Sequence, residues 1–218
     1  RINNNDPLSI ARKAIYELVV NGQDDISLQQ SSQLELESAN SLDENNAEIL
    51  YYLAIASDFI GDKEGATNYY DLAEKSKRPT KSAILNIIDI QAQLGVSDNQ
   101  RLILLSEVIK MGDGTNEKNS LIVDKFNFCV DKRFYDEIDN LWEIIKEWKS
   151  FPDQVSPNNL LEKYITAKET QAYDLAKELN YNRAIELIKP TAIASLSMDE
   201  DSISSSVANL IEWENIEN

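Results

Sequence analysis

The chain has 218 residues, 42% of them hydrophobic, and its 38 acidic and 21 basic side chains give a formal net charge of −17. This hydrophobic content excludes a disordered chain, and the negative charge argues against nucleic acid and anionic membranes as partners because both are negative themselves. With one cysteine, Cys129, and no histidine, the chain has no internal disulfide, no histidine-based triad and none of the common zinc sites.

Glycine and proline are scarce, with 6 and 5 residues. An all-β domain needs such turn residues every ten residues or so, whereas long stretches without them favour helices. No apolar run is long enough to span a bilayer. The chain starts at Arg1 rather than at methionine, which indicates a cloning boundary, a processed N-terminus or a fragment of a longer protein.

The first predicted helix pair covers residues 13–46. Its first helix places Tyr16, Val19 and Val20 at helical spacing. A polar turn at residues 22–25 separates the two helices like an insertion. Ser32 then occupies the position of a small residue on the second helix.

The second pair, at residues 47–80, has the clearest pattern. Gly61 and Asp62 break it into two helices, and Pro79 ends the second helix. Two short helices pack closely only where small side chains let their backbones approach, and Ala54 and Ala66 lie where that contact is expected. The inward-facing positions are Leu50, Leu53, Ala54, Ala66, Tyr70 and Ala73.

A shift of 34 residues brings the third pair, residues 81–114, into register with the first two. The matched positions of the three pairs are Tyr16, Leu50 and Ile84; Val19, Leu53 and Ile87; Val20, Ala54 and Ile88; and Leu36, Tyr70 and Leu104. Such periodicity is typical of a helical repeat protein.

The pattern loosens after residue 114. Residues 115–150 form a divergent pair whose second helix starts near Phe134, and two registers about four residues apart fit it equally well. A proline-containing connection leads to another divergent pair at 160–194, in which Pro190 is expected to end the second helix early. Residues 202–216 are amphipathic and are predicted to form a helix that caps the core.

These residues resemble the pattern of the tetratricopeptide repeat family, strongly over residues 47–79 and moderately on either side. The resemblance implies an all-α fold: a right-handed α-solenoid of about five antiparallel helix pairs plus a C-terminal capping helix, forming one domain over residues 1–218. It also implies a concave groove, lined by the first helix of each pair, that holds a peptide or a helix. The implied groove-facing positions are Glu17, Tyr51, Tyr52, Ile55, Phe59, Leu85, Asp89 and Gln93.

Aromatic and acidic side chains are mixed among these positions, which favours a basic or partly apolar ligand. Family members that clamp a terminal carboxylate use lysine, arginine and asparagine in the groove, and the corresponding positions here are not basic. Tyr51, Ile55 and Phe59 have an alternative role as packing residues against a neighbouring repeat, the capping segment or a second copy of the chain.

No set of residues predicts catalysis, a cofactor or a metal. The glycine-containing stretch at residues 111–115 lacks the lysine and spacing of a phosphate-binding loop and fits a turn. The acidic cluster at residues 199–201 suits either a hard cation or the N-terminus of the last helix. Cys129, on an apolar face, is expected to be a buried, inert thiol.

The sequence therefore predicts a non-enzymatic scaffold that binds another protein or a peptide, and neither nucleic acid nor the membrane interior. Two alternatives stay open. The chain can be the soluble part of a larger membrane enzyme, such as an extracytoplasmic polysaccharide polymerase or ligase, or a structural subunit that self-associates. As part of a bacterial membrane enzyme, the chain is expected outside the cytoplasm. Otherwise it is expected in the cytoplasm.

Overall fold

The structure, a computed structural model, describes residues 6–22, 24–196 and 205–217. Over these residues the chain is all-helical, with eleven helices and no strand, which confirms the predicted all-α class. The helices are α1 (Pro7–Asn21), α2 (Ile26–Leu42), α3 (Ala47–Phe59), α4 (Lys63–Lys75), α5 (Lys81–Leu94), α6 (Asp98–Lys110), α7 (Thr115–Lys132), α8 (Tyr135–Ile145), α9 (Pro157–Lys177), α10 (Tyr181–Leu196) and α11 (Ser205–Glu217).

The helices follow one another as five hairpins, α1/α2 to α9/α10, whose members pack against each other across short turns. The contacts divide the chain into two compact units, Arg1–Met111 and Gly112–Asn218. The first unit holds the helix pairs α1/α2, α3/α4 and α5/α6. The second holds the two divergent pairs and α11.

Most helix starts in the first unit are fixed by a polar side chain that accepts a backbone N–H of the first turn. Asp6, Asp25, Asp62 and Thr80 each accept from the residue three positions on, at 2.9 to 3.3 Å. These bonds satisfy donors that have no partner inside the helix. The polar residues between the apolar runs therefore set where each helix begins.

Helix α3 is the centre of the first unit, because it packs against α1, α2, α4 and α5. Every residue from Ala47 to Ser57 is buried as a result. Ala54 and Ala66 are both buried, as predicted for small residues at the contact between α3 and α4. The first helices α1, α3 and α5 also contact one another.

The predicted register is wrong for α1. Tyr16 is 68% exposed and Val20 is also exposed, whereas Ile15 and Leu18 are buried. Ile15 and Leu18 precede the buried Ile84 and Ile87 of α5 by 69 residues, one more than twice the predicted 34. The register of α1 is therefore shifted by one residue, whereas the buried positions of α2, which are Ser32, Leu36 and Ala39, precede those of α4 by the predicted 34. The cause is the turn before α2, residues 22–25, which is one residue longer than the turn before α4, residues 60–62.

In the second unit α7 and α8 span residues 115–145, and α9 and α10 span residues 157–196. Helix α8 begins directly after Phe134. Ala172 and Ala176 of α9, Ala184 and Ile188 of α10 and Trp213 of α11 form one buried cluster. Helix α11 therefore packs against the apolar side of the last pair through Trp213. The predicted acidic cluster at 199–201 and the first residues of the capping segment, 202–204, lie outside the described residues.

Pro190 does not end α10, contrary to the prediction. The helix continues from Tyr181 to Leu196 with Pro190 inside it. Proline removes one N–H from the helical ladder but does not forbid helix on both sides of it when packing holds the segment. Here Ala184 and Ile188, buried in the cluster with Trp213, hold the first half of α10 in place.

Candidate functional site

A groove of about 880 Å³ opens in the first unit between α1 and α5. Helix α1 supplies most of its lining, α5 supplies the opposite part, and α2 contributes Glu35. The lining residues are Ser9, Ile10, Arg12, Lys13, Ile15, Tyr16, Val19, Glu35, Asn86, Asp89, Ile90 and Gln93.

Two of the predicted groove residues, Asp89 and Gln93, line this groove. Three others do not face it, and for them the prediction is wrong: Tyr52 and Ile55 are fully buried, and Tyr51 is 5% exposed. The reason is the central position of α3, which leaves it no open face. For Tyr51 and Ile55, the alternative role in packing is the one that their burial supports.

The remaining predicted residues are not among those that line the groove. Phe59 is half-buried at the last position of α3, and Leu85 is exposed on α5. Glu17 lies on α1 with a carboxylate oxygen 3.5 Å from Lys13 Nζ. The Tyr51 ring packs against the Tyr70 ring, 6.0 Å between centroids, which confirms its internal position.

A chain of polar contacts joins α1, α3 and α5 under the groove. Arg12 donates from Nε and Nη2 to the two carboxylate oxygens of Glu48, at 2.7 and 3.1 Å. The Tyr52 hydroxyl donates to Glu48 Oε1 at 2.7 Å and accepts from Asn86 Nδ2 at 3.0 Å. Two parallel bonds from a guanidinium to a carboxylate fix both groups in direction as well as distance. The network therefore holds Arg12 and Asn86, which line the groove, in place.

Burial and hydrogen bonding perturb the acid–base behaviour of this network. Burial, and then the hydrogen bond to Glu48, hold the pKa of the Tyr52 hydroxyl well above its usual value. The bond to Glu48 raises the pKa of Arg12 further. Tyr52 consequently stays protonated and Arg12 stays charged throughout the physiological range.

The apolar part of the lining comes mainly from α1. Tyr16 is largely exposed, Ile10 and Val19 are half-buried, and Ile90 contributes from α5. An exposed aromatic ring next to aliphatic side chains is suited to contact with an apolar side chain of a ligand. Tyr16 lies in this place because of the shifted register of α1.

Sequence reasoning missed Arg12 and Lys13 and expected no basic residue in the groove. Both residues line it. The assumed 34-residue shift aligns Arg12 with Asn46, so it gives no indication that Arg12 has an acidic partner. A shift one residue longer places Arg12 level with Ala47, beside Glu48 on the neighbouring helix, and opposite charges at such neighbouring positions indicate an ion pair.

The second unit has a smaller cavity of about 280 Å³ between α8, α9 and α10. The rings of Trp142 and Tyr164 form one wall, stacked with centroids 4.7 Å apart. Lys168 is buried beside them and donates to Asp139 Oδ2 at 2.6 Å and to Gln171 Oε1 at 3.1 Å. Since its amine is held by these two acceptors, its role here is to join α9 to α8.

Other chemistry finds little support in the described part of the chain. No group of three or more histidine, cysteine, aspartate or glutamate side chains is arranged there to hold a metal ion. Cys129 is buried, and burial raises the pKa of its thiol to about 12. None of the helices described is long and apolar enough to cross a membrane.

Comparison with known proteins gives no relative: no family model, no curated protein and no solved structure matches this chain.

Proposed function

We propose that the chain is a non-enzymatic scaffold that binds a short segment of another protein in the groove between α1 and α5. One observation carries the proposal: the exposed aromatic ring of Tyr16 lines the same groove as Arg12 and Asn86, whose side chains a hydrogen-bonded network holds in place. A groove whose polar groups are already oriented loses little freedom when a ligand enters, so more of the contact energy appears as affinity.

The dimensions of the groove favour an extended segment over a helix. One turn of helix with its side chains is a cylinder of roughly 500 Å³, so 880 Å³ holds fewer than two turns. Helix α1 has 15 residues and is about 22 Å long, a length that roughly six or seven extended residues span. The ligand we propose is therefore a short extended peptide segment.

We also propose that the helix pairs build a right-handed solenoid of the tetratricopeptide type. Support comes from the first unit, where Tyr52 and Asn86 occupy equivalent positions of successive pairs and bond to each other. Further support comes from the mutual contacts of α1, α3 and α5, since the first helices of such repeats line one side.

Selection from a random heptapeptide library tests the proposed function. The groove variant combines Ile10→Ala with Tyr16→Ala. The matched control combines Leu72→Ala with Ile103→Ala, two exposed apolar residues of the same unit that do not line the groove. Peptides selected on the native chain should lose at least tenfold in affinity on the groove variant and keep their affinity on the control.

Thermal unfolding of all three proteins verifies that the variants are folded. Failure to select any peptide, or selected peptides that bind the folded groove variant as tightly as the native chain, would rule out this groove as the binding site.

A further inference from the structure

We infer that the segment held in the groove carries an arginine or a lysine next to an apolar side chain, with its cation bound by Asp89 and Glu35. This inference rests on the proposed function and specifies the chemistry of the ligand. Its basis is the distribution of charge around the groove, where the chain's own cations are already paired and two carboxylates are not.

The arginine of the groove, Arg12, already forms an ion pair within the protein, with Glu48. The two bonds from Arg12 to Glu48, at 2.7 and 3.1 Å, use both carboxylate oxygens of a residue that is 7% exposed. A charge pair with a buried carboxylate is screened less than one at the surface. Arg12 therefore brings little net positive charge to the groove, and a ligand that took Arg12 away would leave Glu48 buried without its cation.

Lys13 also has an acidic neighbour, Glu17, four residues later on α1. With Glu48 and Glu17 included, the groove region holds two cations, Arg12 and Lys13, against four carboxylates, the other two being Glu35 and Asp89. The local charge is thus 2 − 4 = −2. A negatively charged segment, including one ending in a free carboxylate, would meet this excess and be disfavoured.

Asp89 and Glu35 are the groups left to bind a cation. One oxygen of Asp89, Oδ2, accepts from Gln93 Nε2 at 2.7 Å, and this bond orients the carboxylate on the groove-lining face of α5. Within the described ranges neither carboxylate forms a salt bridge with a lysine or arginine of the chain. Both are therefore available to a cation that the ligand brings.

Tyr16 adds a reason for an arginine in particular. Its ring lines the same groove and is largely exposed. A guanidinium can lie over an aromatic face and donate to a carboxylate at the same time, because its charge is spread over a plane. The apolar residue next to the cation would contact Ile10 and Val19.

The composition of the selected heptapeptides tests the inference. We expect arginine and lysine to be enriched at one position and aspartate and glutamate to be depleted. The tightest peptide and its copy with glutamine in place of the basic residue are then titrated against the native chain, a charge variant (Glu35→Gln with Asp89→Asn) and a control (Asp71→Asn with Glu74→Gln) whose acids are exposed on α4.

The basic residue should improve affinity at least tenfold on the native chain and on the control, and less than threefold on the charge variant. Raising the salt concentration should reduce the native advantage. Peptides that depend on Ile10 and Tyr16 but show no basic preference would overturn the inference and leave the proposed function standing. A basic preference that persists in the charge variant would also overturn it. Absence of any groove-dependent peptide would instead remove the proposed function itself.

Discussion

Asn86 Nδ2 lies 3.0 Å from the hydroxyl of Tyr52, which occupies the equivalent position 34 residues earlier in the preceding helix pair. The same hydroxyl donates to Glu48, which holds Arg12. A single line of hydrogen bonds thus joins the first helices of three pairs. It links the repeat pattern of the sequence to the fixed polar groups of the groove.

Tyr52→Phe should lower the free energy of unfolding by about 2 kcal/mol. The substitution keeps the buried ring but removes a hydrogen bond to the carboxylate of Glu48, and bonds to charged groups contribute about 1.5–3 kcal/mol. Urea denaturation measures the loss. Tyr16→Phe is the control and should change the value by less than about 0.5 kcal/mol, because this side chain is largely exposed. Equal effects of the two substitutions would contradict the network.

Ile15→Ala and Tyr16→Ala should differ strongly in stability although the residues are adjacent. Ile15 is 1% exposed, so its truncation leaves a cavity and should cost about 3 kcal/mol. Tyr16 is on the exposed side of α1, and its truncation should cost less than about 0.5 kcal/mol. Urea denaturation of both variants checks the shifted register of α1. The opposite ranking would restore the 34-residue register.

Pro190→Ala should stabilise the chain by about 2 kcal/mol. The substitution returns the missing N–H to the interior of α10 and replaces a poor helix former with the best one, while greater freedom of the unfolded chain offsets part of the gain. Pro157→Ala is the matched control, because Pro157 stands at the first position of α9, where no N–H is needed. It should give no gain in urea denaturation. A loss of stability in Pro190→Ala would mean that the ring itself is required.

Glu137 should contribute stability that depends on pH. Burial raises the pKa of Glu137, but the hydrogen bond and the charge of buried Lys125 outweigh that effect and bring the pKa below its usual value. A carboxyl group whose pKa is lowered by folding stabilises the folded state above its unfolded pKa, near 4.5. This contribution disappears as the pH falls through the lower folded value.

Glu137→Gln should therefore cost about 3 kcal/mol at pH 7, since Lys125 stays buried without its anion, and distinctly less at pH 4. Urea denaturation at the two pH values measures both numbers. Glu143→Gln removes the exposed pair with Lys146 instead and should cost less than about 1 kcal/mol at either pH. A pH-independent loss in Glu137→Gln would show that the pair does not act through charge.

Cys129 should be unreactive in the folded chain. Burial raises the pKa of its thiol to about 12 from an ordinary value of 9.0, so on the order of 1,000-fold less thiolate is present at neutral pH. A disulfide reagent such as 5,5′-dithiobis(2-nitrobenzoate) at pH 8 should label one thiol per chain in guanidinium chloride and almost none without it. Rapid labelling of the folded chain would contradict the buried position.

The helices could be predicted from the sequence because apolar spacing, capping residues and turn residues agree locally. Gly61 with Asp62, and Gly95 at a positive φ of 67°, mark turns in the structure as they do in the sequence. The groove could be predicted only in part. Asp89 and Gln93 followed from counting along the repeat, but the burial of Tyr52 and Ile55 depends on how many helices surround α3.

Pro190 shows another limit of sequence reasoning. Local preference argues for a helix end at this residue, and the buried contacts of α10 with α9 and α11 override it. Those contacts join residues far apart in the chain, such as Ala172 and Trp213, which no local pattern reveals. The ion pair of Arg12 with Glu48 was missed for a similar reason, because it depends on the register between two helices.

The extra residue in the turn before α2 changes the orientation of α1 about its own axis. Each residue of an α-helix advances its side chain by about 100°, so one more residue in the loop turns the whole of α1 by that angle relative to its repeat position. The rotation takes an aromatic side chain out of the interior and presents it to the groove. The buried side of α1, with Ile15 and Leu18, agrees with this longer loop, and the side chain offered to a ligand at the repeat position is thereby tied to loop length.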